Sequence, residues 1–234
     1  MRPELIVMLT HHDSTVTNAI DMFHEMRDTP VTHWGFKDVG LAPDKMKKLV
    51  GEMKEAGKTT YLEVVSLSEA EGLAGSKLAV EAGFDILMGT IYFGSIADYL
   101  KDKPTLYYPF PGHVHSHPSI LDGTIEAITR NARWLQEHGA HGLDLLTYRY
   151  TGDARTLLKE VVKATQIPIV SAGSIGTYQR IAEVWDAKTW GFTIGSAFFE
   201  KKFEPEGTFV SNMMAVWNWL QEHDENSMRS YLKE

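Results

Sequence analysis

Three stretches of the chain repeat one pattern. "KEAGKTTYLEVVS", "VEAGFDILMGTIY" and "QEHGAHGLDLLTY" each run from a helical segment through glycine into a β-rich segment. Gly57, Gly83 and Gly139 stand where a helix ends on a residue of positive φ, so each closes a helix and opens a short loop. The segments that follow are almost continuously apolar, as strands covered on both faces must be. Helices that hand over through glycine to doubly covered strands build a parallel α/β fold.

Extended along the chain, the rhythm predicts strands near 4–10, 32–38, 59–66, 85–92, 105–111, 142–150, 167–172 and 191–197. Helices are expected near 15–27, 43–56, 69–82, 94–100, 120–138, 153–165, 177–187 and 208–222. "SEAE" at Ser68 to Glu71 reads as a capping box, and Pro43 suits a first helical turn. Eight β-then-α units of roughly 29 residues match a closed (β/α)8 TIM barrel, an α/β fold. An open doubly wound sheet is the competitor, and it requires two of these strands to be wrong, the first and fifth being the weakest. No Pro/Ser-rich linker divides residues 1–234, so a single barrel domain is expected.

Composition removes several functions. The formal net charge of −8 argues against a general nucleic-acid binder, which needs basic clusters to displace counterions. With no cysteine, thiolate nucleophiles, disulfides and Cys-based zinc sites are excluded. "MRPELIVMLTHHDS" holds an apolar run too short for a signal segment or a membrane span, so a cytoplasmic protein without membrane contact is expected.

"VSAGSIGT", Val170 to Thr177, and "GFTIGSAFF", Gly191 to Phe199, run from β-branched residues straight into Gly and Ser at the ends of strands seven and eight. In a barrel these are the loops that often hold a phosphate, because small residues let backbone N–H groups approach an anion. Here the chain resembles the phosphate-binding barrel superfamily of ribulose-phosphate-type isomerases, epimerases and decarboxylases and the tryptophan- and histidine-pathway barrels. The likeness is architectural along the chain and specific in Ser171–Thr177 and Gly191–Ala197. It implies a phosphate against the backbones of Gly173, Ser174, Gly195 and Ser196. The plainer alternative is that these glycines serve tight turns and packing alone.

Charged residues inside barrel strands need a partner or a task. Strand two ends in Lys37 and Asp38, strand three carries Glu63, and strand six carries Asp144, with Tyr148 and Arg149 towards its end. Lys37 with Glu63 or Asp144 makes a proton-transfer pair, or a lysine of lowered pKa able to form a Schiff base. A structural ion pair is the alternative. The Asp-x-Lys-x-x-Asp run of the decarboxylases is absent, as is a cysteine acid/base.

"HVHSHPS" sets His113, His115 and His117 at alternate positions after strand five, and "THHDS" sets His11, His12 and Asp13 after strand one. Extended backbone turns the first three imidazoles to one side, a geometry for a divalent metal. Pro109, Pro111, Gly112 and Pro118 point instead to an irregular loop, with one histidine, His113 first, serving as acid/base or hydrogen-bond donor. In the last helix, Met213, Val216, Trp217 and Leu220 form the stripe expected against the barrel, leaving Met214 and Trp219 for a subunit contact in a homo-oligomer.

The sequence therefore predicts a barrel enzyme acting on a small phosphorylated metabolite. Isomerase or epimerase chemistry comes first, with aldolase or decarboxylase chemistry next, and no cofactor is required. A phosphometabolite-sensing barrel without turnover, of the kind seen in glycerol-operon antiterminators, and a metal-dependent hydrolase are the alternatives.

Overall fold

Eight parallel strands wrap into a barrel in the computed structural model, which describes residues 2–223, Met228 and residues 230–232. The barrel strands are β1 (Glu4–Met8), β2 (His33–Lys37), β3 (Thr59–Val64), β4 (Ile86–Ile91), β5 (Leu106–Phe110), β6 (Leu143–Leu145), β7 (Ile169–Ser171) and β8 (Gly191–Ile194). Their hydrogen-bonded order is β6-β7-β8-β1-β2-β3-β4-β5. At the remaining seam, His141 N–H donates to Tyr107 O at 2.9 Å, and Tyr107 N–H donates to His141 Nδ1 at 3.2 Å. Gly142 lies beside this seam, where a Cβ would stand 2.5 Å from the Tyr108 ring. The closed (β/α)8 barrel expected from the repeat is the observed fold.

Period-two alternation sorts the strand side chains into two cores. Ile6, Met8, Tyr61, Ile86, Met88, Tyr108 and Val170 fill the barrel interior. Leu5, Val7, Trp34, Phe36, Leu62, Val64, Leu87 and Phe192 face outward, in a separate core with the helices. Those helices are α1 (Ala19–Met26), α2 (Pro43–Glu55), α3 (Glu69–Ala82), α4 (Gly94–Leu100), α5 (Ile125–Glu137), α6 (Ala154–Ala164), α7 (Tyr178–Asp186), the short α8 (Ser196–Phe199) and α9 (Phe209–Glu222). Gly83 ends α3 at φ 82°, donating to Ala79 O and Val80 O, as its place in the sequence requires. Pro43 opens α2. The Ser68 hydroxyl accepts from Glu71 N–H, but Glu71 Oε2 takes the hydroxyl protons of Ser66 and Ser68. Ser68 N–H goes to Ser66 Oγ, so only half of the expected capping box forms.

Several boundaries differ from expectation. Strand six stops at Leu145, and Thr147–Arg149 form a 3₁₀ turn instead of continuing to residue 150. The hydroxyls of Ser171 and Thr147 meet at 2.7 Å and tie this turn to β7. Residues 10–15 form a small antiparallel hairpin, pairing Thr10 with Thr15 and His11 with Ser14, where only the end of strand one, a loop and the start of the first helix were expected. Residues 120–122, expected as helix, pair with 113–115 in a second hairpin before α5 begins. Strand eight ends at Ile194, and residues 196–199 are helical.

Trp219, expected to face outward, is 7% exposed, while Trp217 is half-buried with the Arg2 guanidinium 5.3 Å from its ring. Tyr231 helps to cover Trp219, whose Nε1 donates to its hydroxyl at 3.2 Å. Trp219 is therefore covered by the chain itself, while Met214 stays half-buried. No helix among the described residues is long and apolar enough to cross a membrane.

Candidate active site at the carboxyl ends of the strands

β2 and β3 are in register at Lys37 and Glu63, so period-two alternation turns both side chains to the same side at the strand ends. They are among the groups lining a cleft of about 900 Å³ at the mouth of the barrel. Lys37 Nζ lies 3.6 Å from Glu63 Oε1 and 2.8 Å from Asp13 Oδ1. Arg149 Nη2 approaches the same Asp13 oxygen at 3.3 Å. Burial works against the Lys37 charge, but the Glu63 and Asp13 carboxylates outweigh it and hold the ammonium above its ordinary range. Asp13 is likewise opposed by burial, yet Lys37 and Arg149 keep its carboxyl below the usual range.

Asp144 has no exposed surface, and neither carboxyl oxygen has a hydrogen-bond partner among the described residues. Burial, with the Glu63 carboxylate adding to it, lifts its carboxyl well above the ordinary value near 3.8, against the weaker pull of Lys37, Arg149 and the nearby Gly89 backbone N–H. That N–H falls outside hydrogen-bond geometry. Asp38, beside Lys37, is pushed up to about 6 by burial, with Glu63 and Glu71 contributing. The centre thus combines an ammonium, two carboxylates facing it and a carboxyl that burial pushes towards its protonated form.

Both glycine loops border the cleft, and Gly173, Ser174, Gly195 and Ser196 all line it. Gly173 has φ 81° and Ser174 φ 59°. A Cβ on Gly173 would sit 2.9 Å from Arg149 Cγ, and one on Gly195 would sit 2.7 Å from Thr10 Oγ1 and 2.8 Å from Thr10 O. These two glycines therefore have packing reasons to be small. Gly176 differs, since its Cβ would meet only Ala197 Cβ at 3.5 Å and Lys202 Cγ at 3.7 Å. The Arg180 guanidinium hydrogen-bonds to Ser174 O and lies 4.7 Å above the Tyr148 ring. Arg155 and Lys202 also line this part of the cleft.

Lys37, Glu63 and Arg149 are brought together with both loops, and Asp144 lies in the interior within their electrostatic reach. His113 is not brought in. It is exposed on the second hairpin, its ring centroid 5.2 Å from that of His115, and is not among the cleft-lining side chains. The three histidines also do not share one extended segment, because the chain turns at Ser116, φ 65°, before His117. No group of three or more His, Asp or Glu among the described residues is arranged to hold a metal ion.

Asp13 is the residue that sequence reasoning placed only among metal candidates. Its signal is a turn: His12 at φ 49° and Asp13 at φ 59° are successive left-handed residues, both non-glycine, at the tip of the first hairpin. Two-residue hairpins need this conformation, and Asp is among the residues that tolerate it.

No family profile and no curated protein sequence matches the chain. Solved structures match it by fold. A native KDPGal structure superposes with a TM-score of 0.66 at 12% identity, covering 94% of this chain and 98% of that one. The N-acetylmannosamine-6-phosphate 2-epimerase from Clostridium perfringens gives 0.61 at 12% identity, covering 92% of each chain. FabK from Thermotoga maritima gives 0.58 at 14% identity, covering 84% of this chain, which spans only 59% of the FabK chain. The resemblance to the phosphate-binding barrels thus holds for the fold.

Proposed function

We propose that the protein is an isomerase or epimerase acting on a small phosphorylated metabolite of phosphosugar type. The observation that carries this reading is the Lys37 ammonium facing Glu63 at 3.6 Å in a cleft that both glycine loops also line. Moving a hydrogen between carbons beside a carbonyl requires a base to take the proton and a donor for the oxyanion that forms. Glu63 is the base in this reading. Lys37 gives a proton to the developing oxygen, the hydroxyl on the carbon that lost its hydrogen returns one to Lys37, and Glu63 delivers its proton to the former carbonyl carbon on the same face. An epimerisation at one carbon would need a second acid on the opposite face. Burial favours the neutral form of Asp144, which limits the negative charge below this centre. Arg149 stands between this centre and the Gly173 loop, where it can orient the substrate.

The phosphate would lie against Gly173, Ser174, Gly195 and Ser196, with Arg180 and Lys202 supplying positive charge. Schiff-base chemistry needs a free amine, and a lysine held charged by two carboxylates favours acid–base work instead. The reading requires no cofactor.

Thermal shifts with phosphorylated metabolites and their dephosphorylated parents test it. A ligand at about a hundred times its Kd stabilises the fold by about 2.7 kcal/mol. Only the phosphorylated members should do so. With the substrate in hand, Lys37→Ala should lower kcat by about 10²-fold or more, the scale of losing one oxyanion donor, and Glu63→Gln should abolish turnover. Both variants should keep the phosphate-dependent shift. Equal shifts from both members of each pair would remove the phosphate from the proposal, and full activity in both variants would remove the chemistry.

A further inference from the structure

The hairpin over residues 10–15 is fastened at three points around the cleft. Thr15 Oγ1 donates to Lys37 O at 2.7 Å and accepts from Lys37 N–H at 2.9 Å, and Thr15 N–H donates to Val39 O at 3.0 Å. On its other side, Thr10 packs against Gly195, and the His11 ring stacks on Phe199 at 5.0 Å, so the hairpin also touches the loop and short helix after β8. At its tip, the two left-handed residues turn Asp13 back towards the barrel. One carboxylate oxygen there meets both Lys37 Nζ and Arg149 Nη2. A left-handed backbone at a non-glycine residue is disfavoured and persists where surrounding structure imposes it, often at functional sites.

We propose that Asp13 is a positioning residue, which holds the Lys37 ammonium and the Arg149 guanidinium on one oxygen so that both face the cleft. The proposal rests on the reading of Lys37 as the proton-handling group. Asp13 acts through Lys37 and takes no proton from the substrate. Glu63 alone leaves Lys37 with its longer contact, 3.6 Å against 2.8 Å, so Asp13 fixes the direction of the amine and Glu63 remains available to the substrate. The other titratable or charged groups that act on Lys37 are Arg149, Asp38 and Asp144.

The test needs neither substrate nor turnover. Cyanate carbamylates only the free amine, and mass spectrometry of the Lys37 peptide gives its rate across a pH series. The parent protein is compared with Asp13→Asn, which keeps a residue tolerant of the left-handed turn, and with Asp13→Gly, which favours that turn. His12→Gly eases the turn and keeps the carboxylate. In both Asp13 variants the midpoint of Lys37 labelling should fall by at least about one pH unit, giving about tenfold more reaction at a pH below both midpoints. His12→Gly should label as the parent does. A midpoint unchanged in both Asp13 variants overturns the proposal, including when all rates rise by one common factor, because wider access alone would do that. Loss of the phosphate-dependent thermal shift would instead count against the phosphate reading, so the two failures are separable.

Discussion

Replacing Asp144 by Asn should make the protein relatively more stable as pH rises. The carboxyl is fully buried and unpartnered among the described residues, and burial lifts its pKa well above the ordinary value near 3.8. Between those two values the unfolded chain has released the proton while the folded chain retains it. Stability is thus fully present below the ordinary value and falls with rising pH towards the folded one, by about 1.4 kcal/mol per pH unit. Asparagine removes that slope. It carries a cost of about 1–3 kcal/mol for a buried amide without partners, but that cost does not vary with pH. Through the interval between the ordinary value and the folded one, the variant should therefore gain on the parent by up to about 1.4 kcal/mol per pH unit, or about 3–6 °C in Tm per unit for a chain of this size. Urea denaturation at fixed temperature across the pH series measures the difference directly, and the ionisations common to both proteins cancel. Parallel curves over this window would refute the reasoning, since they would mean that Asp144 is charged in the fold and has a partner that offsets its burial.

Asp38→Asn should flatten the pH dependence in the same direction over the window from near 3.8 to about 6, as read by the same denaturation series. Gly195→Ala should cost about 1–3 kcal/mol in stability, because its Cβ would meet Thr10 and Met8 oxygens at 2.7–3.1 Å. Gly176→Ala makes only ordinary contacts and should change stability by less than about 0.5 kcal/mol. If a phosphate approaches the backbone of that loop, Gly176→Ala should nevertheless reduce the ligand-induced thermal shift. An undiminished shift would show that Gly176 is not part of the approach.

The barrel was legible because its units are punctuated. Helices ending in glycine before apolar runs place the strands even where individual boundaries move. "LDLLTYRY" illustrates the limit: its β-rich composition continues past Leu145, but the backbone turns there and Thr147 bonds to Ser171, a contact far apart in sequence. The same local reading placed Lys37 and Glu63 correctly at strand ends, since alternation within strands fixes direction. It misplaced His113, whose side depends on how a hairpin outside the barrel is set. It assigned Asp13 only to a metal, because the turn that delivers it depends on two φ angles that the letters His and Asp permit but do not dictate. Trp219 was placed outward for a related reason, although Trp217 packs against the core as expected. Both lie near the edge of the helical stripe, and residues beyond the helix decide how fully each is covered.

In the proposed reading, the charges at the centre assign binding and chemistry to different parts of the cleft. Lys37 and Arg149 face Asp13 and Glu63, and Asp144 adds no charge while protonated, so this group of ions is balanced. A balanced group offers little net attraction to a dianionic phosphate. On that reading such an anion gains more beside Arg180, whose guanidinium is held by Ser174 O and the Tyr148 ring, whereas Lys202 already lies 3.5 Å from Glu200. The reacting end of the substrate is best uncharged, because a carboxylate there would compete with Asp13 and Glu63 for the same two cations. A neutral carbonyl or hydroxyl needs only one donor. Lys37 can supply it by exchanging its longer contact with Glu63, and that exchange frees the carboxylate to act as the base.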